Sequence, residues 1–183
     1  MVKKFFSLVW EIVKIVIIAA IIVAPIRYFL FQPFFVRGQS MDPNFENGDY
    51  LIIDELSYRF REPKRGEVVV FKSPQNSSQR FIKRIVGLPG ETVEIKDGKV
   101  IIYDPGLLPQ VLDESSYLSL GLITLGDVKV TLEEDEYFVL GDNRDFSLDS
   151  RRFGPLSQDK IIGRVILRAW PFVALAKFEP PIY

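Results

Sequence analysis

A long apolar segment near the amino terminus limits what this chain can fold into. Between Ile12 and Phe31 lie twenty residues whose only charges, Lys14 and Arg27, are near the ends. At about 1.5 Å per residue, a helix of that length spans about 30 Å, the thickness of a bilayer's hydrocarbon core. Both charged side chains can extend to the interfaces. The sequence therefore predicts a transmembrane anchor at residues 12–33, behind a short cytoplasmic amino terminus at residues 1–11.

A cleavable signal peptide is the alternative interpretation of this segment. Its apolar core would be only about 7 to 15 residues long, followed by a cleavage site of small residues. Here Ala24 is followed by Pro25 and the apolar run continues, which favours an uncleaved anchor. A small excess of positive charge on the amino-terminal side predicts that the amino terminus is inside and the following domain outside. The basic residues on the two sides are Lys3, Lys4 and Lys14, then Arg27 and Arg37.

Residues 34–183 are predicted to form a β-rich domain on the outer face of the membrane. Short runs of β-branched and aromatic residues are separated by Gly, Pro and Asp, and no long amphipathic helix pattern appears among them. The runs are residues 50–53, 68–71, 81–86, 92–95, 100–103, 137–140 and 161–167. Between two of them, Asp97 and Gly98 suit the positive φ angles of a tight hairpin turn. Residues 104–127, with Pro105, Pro109 and several glycines, are predicted to be an irregular insert.

Composition excludes several classes of function. With 23 basic and 24 acidic residues the net charge is -1, so no overall field favours nucleic acid as a partner. The chain has no cysteine and no histidine, which removes disulfides, thiol catalysis and the usual zinc sites. We therefore expect no metal and no cofactor.

A serine follows the apolar segment, in the sequence Gly-Gln-Ser-Met-Asp-Pro at residues 38–43. Serine becomes a good nucleophile only when a base takes its proton. Without histidine, the best candidate base is Lys83, in the strand-like run that also contains Phe81 and Ile85 on the same face. A lysine of ordinary pKa, about 10.4, costs roughly 4.6 kcal/mol to neutralise at pH 7, and burial against apolar neighbours lowers that cost. A serine in a simple turn and a lysine whose amine reaches water are the alternatives.

Three stretches in order behind the apolar segment resemble the type I signal peptidases. They are residues 38–43, residues 83–90 with the sequence Lys-Arg-Ile-Val-Gly-Leu-Pro-Gly, and residues 141–151 with the sequence Gly-Asp-Asn-Arg-Asp-Phe-Ser-Leu-Asp-Ser-Arg. The resemblance covers nearly the whole chain, from Trp10 onward. It implies a largely antiparallel β catalytic domain behind one membrane helix, in the compact form of the family with a single anchor.

The resemblance also implies an activity and a role for each site residue. The chain is expected to be a serine endopeptidase of the cell membrane that cuts signal peptides from exported preproteins after small residues of the Ala-x-Ala type. Its expected partners are these preproteins, the lipid surface and the protein translocation channel. Ser40 is expected to attack the scissile carbonyl with Lys83 as general base. Ser147 is expected to orient the lysine, and Asp149 and Arg151 to brace the site.

Three positions depart from the family pattern. Asn44 stands where many members have threonine, and this substitution bears on how the serine is held. Phe146 stands where asparagine is common. Gly38 lacks the hydroxyl with which some members stabilise the oxyanion, so backbone donors, first the Ser40 N–H, are expected to do so.

Two other classes of function remain open from the sequence alone. One is a different serine and lysine protease, such as the self-cleaving repressors. The predicted membrane anchor and the absence of a DNA-binding domain argue against it. The other is a catalytically inert membrane-anchored β domain that binds a partner. Two further motif matches are weak. Ser157 to Lys160 is a literal S-x-x-K without its usual companion motifs, and the calcium-loop pattern from Asp145 has Ser150 at its glycine position.

Overall fold

Two antiparallel β-sheets follow a long amino-terminal helix. The computed structural model describes residues 2–29, 31–119 and 121–181. In chain order, the elements within these ranges are α1 (Val2–Phe29), β1 (Phe31–Phe35), β2 (Tyr50–Asp54), β3 (Val68–Lys72), β4 (Arg80–Gly87), β5 (Thr92–Lys96), β6 (Lys99–Tyr103), β7 (Gln110–Val111), β8 (Val128–Thr131), β9 (Glu136–Leu140), α2 (Ser150–Phe153), β10 (Leu156–Ser157), β11 (Ile161–Trp170) and β12 (Ala176–Lys177).

The helix α1 is 28 residues long and ends at Phe29. Within the described ranges, no helix combines the length and the apolar character needed to cross a bilayer. The predicted anchor boundary at residue 33 is wrong, because Phe31–Phe35 forms the strand β1 and pairs with β2. Pro33 is compatible with this strand. Proline disfavours helix at the residue before it and is tolerated in strands mainly at a sheet edge, and β1 is an edge strand.

The larger sheet carries the residues of interest. Its strand order is β1-β2-β11-β3-β4-β9-β10, with β12 on β11, and each pairing is antiparallel. The smaller sheet has the order β7-β6-β5-β8. The prediction of a mainly antiparallel β domain is confirmed, and the seven predicted runs coincide with β2, β3, β4, β5, β6, β9 and β11.

The predicted hairpin turn between β5 and β6 is also confirmed. Lys96 pairs with Lys99, and the two residues between them, Asp97 and Gly98, have φ angles of 51° and 77°. The described part of the insert, residues 104–119 and 121–127, is largely irregular, as expected, and contains the short strand β7. It nevertheless packs on the fold, since Leu112 and Tyr117 are buried.

Buried apolar side chains join the two sheets. One cluster combines Val86 of β4 and Phe138 of β9 with the inner faces of β5, β6 and β8. Gly87 lies at the centre of this contact: a Cβ there would stand 2.4 Å from Val93 Cγ2 and 2.9 Å from Phe138 Cβ. The lack of a side chain at residue 87 therefore lets the smaller sheet pack closely against β4.

We expect Gly87→Ala to destabilise the fold, because a methyl group has no space at the junction of the sheets. Overpacking of this kind lowers the free energy of unfolding by about 1–3 kcal/mol. Denaturant unfolding followed by circular dichroism measures the change, with Gln75→Ala in an exposed turn as the control. A Gly87→Ala protein as stable as the control would show that the two sheets can move apart without loss.

Candidate active site

Ser40 lies on a loop that is anchored on both sides. This serine loop, residues 36–49, is closed at its base by backbone hydrogen bonds from Val36 N to Asp49 O, 2.9 Å, and from Gly48 N to Val36 O, 3.0 Å. Met41 and Phe45 are fully buried in the core of the larger sheet. With these side chains fixed, Ser40 is held partly exposed at the domain surface.

Lys83 reaches Ser40 from the strand β4. Its side chain is buried, only 3% exposed. The Nζ atom donates hydrogen bonds to Ser40 Oγ at 2.7 Å and to the Ile82 carbonyl at 2.7 Å. The Phe81 ring centroid lies 5.6 Å from Nζ. The structure thus brings the predicted serine and lysine together, although they are 43 residues apart in the chain.

Burial lowers the pKa of Lys83 to about 8, from an ordinary value of 10.5. Loss of solvation is the main cause, because a buried amine is less stable when charged. The charges of Asp149 and Asp142 act in the opposite direction and limit the fall. Lys83 is therefore half neutral near pH 8, so it can accept a proton at a pH at which an exposed lysine remains charged.

The third predicted stretch lies directly against the serine loop. A Cβ on Gly141 would stand 2.4 Å from the Ser40 carbonyl oxygen and 2.2 Å from Ser147 Oγ. Asn143 N donates to the same Ser40 carbonyl at 3.1 Å. Only glycine leaves room for this approach. The sequence motif contained Gly141, but nothing in the sequence alone indicated this contact.

The other predicted site residues lie next to this contact. Asp149 is buried and accepts hydrogen bonds from Arg151 Nε at 2.9 Å, Arg151 Nη2 at 2.8 Å and Gly141 N at 3.1 Å. Burial alone would raise the pKa of Asp149, but the hydrogen bonds and charge of Arg151 outweigh it and hold that pKa below its ordinary value. Ser147 Oγ is buried, and its hydroxyl lies close enough to Asp149 to help lower the pKa of that carboxyl. Its orienting role stays a prediction.

Sequence reasoning missed a buried ion pair beside the lysine. The residue after Lys83, Arg84, donates from Nε and Nη2 to the two carboxylate oxygens of Asp142, at 2.8 and 2.6 Å. Both residues belong to the quoted motifs, and a second basic residue directly after Lys83 in a largely buried strand was the available signal. The Gly38 N–H donates to Asn47 Oδ1 at 3.0 Å, so it is not the additional oxyanion donor in this state.

A cleft of about 340 Å³ opens beside the serine and lysine. It lies between β1 and the start of β4, and its lining residues are Phe34, Phe35, Arg37, Ser40, Ser78, Arg80, Phe81, Ile82 and Lys83. The strand β9 pairs with β4 only from Arg84 onward. Within the described ranges, residues 80–83 therefore have no strand partner on that side, and β1 has none on its outer edge.

Comparison with known proteins identifies the group to which this site belongs. A sequence model described as "Signal peptidase, peptidase S26" matches residues 9–170. The chain belongs to this signal peptidase family. The predicted resemblance is confirmed, and the chain is an enzyme of the signal peptidase I type.

Several relatives of this signal peptidase match over most of their length. "Probable signal peptidase I-2" of Synechocystis sp. is 38% identical, covering 88% of this chain and 73% of that protein. "Signal peptidase I" of Leptolyngbya laminosa is 36% identical, covering 93% and 84%. "Signal peptidase I" of Bacillus licheniformis is 34% identical, covering 93% of both. The crystal structure of a signal peptidase I from Enterococcus faecalis is 36% identical, with a TM-score of 0.46, and covers 57% of this chain and 97% of that one.

We expect Lys83 of this signal peptidase to titrate near pH 8, because burial disfavours its charged form. The ¹³Cε chemical shift of the lysine side chains measures this, with the Lys83 signal assigned by its loss in Lys83→Met. The exposed Lys99 serves as the control for the assignment and for the response of the signals to pH. Asp149→Asn should lower the Lys83 midpoint further, because it removes a nearby negative charge. A Lys83 midpoint at its ordinary value of 10.5 would contradict desolvation at the site.

Proposed function

We propose that this chain is a membrane-anchored serine endopeptidase that removes signal peptides from exported preproteins. Ser40 is the nucleophile and Lys83 the general base. One observation carries the proposal: the 2.7 Å hydrogen bond from Lys83 Nζ to Ser40 Oγ in a site where the Lys83 pKa is lowered to about 8. The names of the relatives, each a signal peptidase I, support preproteins as the substrates.

The reaction follows from the chemistry of these two groups. Neutral Lys83 accepts the Ser40 hydroxyl proton as Oγ attacks the scissile carbonyl carbon. The Ser40 N–H is the first candidate donor to the oxyanion that forms. Protonated Lys83 then gives the proton to the departing amine, leaving an acyl-serine. A water molecule then attacks this ester as Lys83 takes its proton, and Lys83 returns that proton to Ser40 Oγ as the carboxylic acid product leaves.

The remaining site residues act on Lys83 from one side. We assign Ser147 to orient the amine, because its buried Oγ lies against Gly141, the residue that packs on the Ser40 carbonyl. Asp149 and Arg151 brace the stretch that carries Ser147. Arg151 Nη2 also donates to the Arg144 carbonyl at 2.6 Å, so this ion pair holds both ends of the motif.

The open strand edges beside the cleft support an extended peptide as the substrate. An extended chain can add to an exposed sheet edge through main-chain hydrogen bonds, with alternate side chains entering pockets. Phe34, Phe81 and Ile82 give the cleft an apolar lining. We assign to it the small side chains at the first and third residues before the cut, as in an Ala-x-Ala site.

The amino-terminal segment supports an anchor at the cell membrane. The helix α1 carries exposed apolar side chains, among them Trp10, Ile15 and Ile21. We propose that it crosses the membrane once with residues 1–11 in the cytoplasm, and that the chain from β1 onward forms the peptidase domain on the outer face. The lipid surface and the translocation channel are then the neighbours of the site.

Ser40→Ala and Lys83→Arg should both fold and both fail to cleave, because one lacks the nucleophile and the other carries a guanidinium that stays protonated. The assay is cleavage of a soluble peptide with an Ala-x-Ala site, across pH from about 6 to 10. The wild-type rate should rise through about pH 8 as Lys83 loses its proton. Ser77→Ala, in an exposed turn, is the matched serine control. An active Lys83→Arg enzyme would remove lysine from the mechanism.

Deleting residues 1–29 should reduce processing of membrane-inserted preproteins far more than cleavage of short soluble peptides. The deletion keeps β1 intact and removes only α1. A substrate held in the same bilayer meets the site at a raised effective concentration, and a soluble peptide gains nothing from the anchor. The measurement compares both substrates for the full and shortened chains. Equal losses on the two substrates would indicate a folding role for the segment.

A further inference from the structure

Asn44 joins the serine loop to two other parts of the site. Its Nδ2 atom donates to Asp142 Oδ2 at 2.8 Å and to the Tyr117 carbonyl at 2.7 Å. Its own carbonyl accepts a hydrogen bond from Arg168, and Arg168 Nε forms an ion pair with Asp49 at 3.1 Å. Asn44 is therefore held on both its side chain and its backbone.

The contact between Asn44 and Asp142 links the loop that carries the nucleophile to the strand that carries the general base. Asp142 is buried and binds Arg84 through both carboxylate oxygens. Since Arg84 follows Lys83 directly in β4, the path from Asn44 to Asp142 to Arg84 connects the loop that carries Ser40 with the strand that carries the amine. Every contact along this path includes a charged group, and such hydrogen bonds are stronger than neutral ones.

The contact with Tyr117 links the same loop to the insert. The guanidinium carbon of Arg84 lies 4.1 Å from the centroid of the Tyr117 ring. Tyr117 Oη donates to Glu114 Oε1 at 2.7 Å, and Glu114 forms a salt bridge with Arg144 at 2.5 Å. Arg144 in turn donates to the Gly141 carbonyl at 3.0 Å. The insert thus touches the serine loop at Asn44, β4 at Arg84 and the third stretch at Arg144.

We propose that Asn44, together with Glu114 and Tyr117 of the insert, positions Ser40 against Lys83. The proposal rests on the proposed serine and lysine mechanism. Asn44 does not line the cleft, so it acts on the geometry of the reacting pair rather than on substrate binding. A threonine hydroxyl has one donor hydrogen, whereas the Asn44 amide has two. This chain uses both hydrogens: one is donated to Asp142, and the other is donated to the Tyr117 carbonyl of the insert.

The expected signature is a fall in kcat with an unchanged KM. Small displacements of reacting groups have large effects on rate, and a shift of about 1 Å can cost on the order of a hundredfold. Asn44→Ala removes two hydrogen bonds from the loop but leaves the Arg84 and Asp142 pair in place, so we expect a loss of kcat of about tenfold. The pH midpoint should remain near that of wild type, because the charges of Asp142 and Asp149 are still present.

The test measures kcat and KM for cleavage of a soluble Ala-x-Ala peptide by the full chain. Asn44→Ala should lower kcat, and Asn44→Thr should recover part of the loss because it restores one donor. In the insert, Glu114→Ala should lower kcat several-fold, whereas Leu108→Ala, an exposed residue of the same insert, should not change it. Thermal unfolding of each variant gives its melting temperature. The assays are run well below that temperature, so that a lower kcat does not reflect unfolded protein. Asn44→Ala with wild-type kcat, or with a raised KM alone, would overturn the proposal.

A crystal structure of Asn44→Ala gives a result independent of turnover. We expect the Lys83 Nζ to Ser40 Oγ distance, 2.7 Å in the native chain, to lengthen, and the serine loop to move from Asp142. If the distance is unchanged, Asn44 does not position the pair, even in an active enzyme. If the wild-type chain fails to cleave, the proposed function is wrong. The distance from Lys83 Nζ to Ser40 Oγ in the variant still shows whether Asn44 positions the pair. Should Asn44→Ala not fold, the same comparison is made with Asn44→Thr and Glu114→Ala.

Discussion

The hydrogen bond between Lys83 and Ser40 depends on a lysine that is both buried and surrounded by paired charges. Apolar burial makes the amine a base near pH 8. Within the same region, Arg84 pairs with Asp142 and Arg151 with Asp149. Within each pair the positive and negative charges largely cancel. The site therefore contains several charges while the lysine can remain neutral. A single unpaired carboxylate at this position would raise the lysine pKa again.

Close backbone approach is the second requirement of the site. The serine loop rests on Gly141, where a methyl group would overlap the Ser40 carbonyl. The Asn143 N–H fixes the same carbonyl from the neighbouring residue. The nucleophile is thus located by main-chain contacts and by the buried side chains of Met41 and Phe45. The reactive hydroxyl can face the cleft because Met41 and Phe45 hold the same loop in the core.

Much of this arrangement could be predicted from the sequence, for identifiable reasons. Short runs of β-branched and aromatic residues between Gly, Pro and Asp marked the longer strands, and Asp97 with Gly98 marked the hairpin. Because the chain has no histidine, Lys83 was the best candidate for the general base. The short strands β7, β8, β10 and β12 carry too few residues for a periodic pattern. The contacts of Asn44, Glu114 and Tyr117 join distant parts of the chain, and no local pattern encodes which buried polar group will meet which partner.

The burial of Lys83 also affects the folding equilibrium. Its pKa falls from 10.5 in an ordinary setting to about 8 in the folded chain, which corresponds to about 3 kcal/mol that favours unfolding at any pH below both values. Between these values the unfolded chain binds the proton and the folded chain does not, so this penalty fades as the pH rises from about 8 to about 10.5. Small proteins have a total stability of only about 5–15 kcal/mol. Natural selection for a reactive serine and natural selection for a durable fold therefore oppose each other at this one side chain.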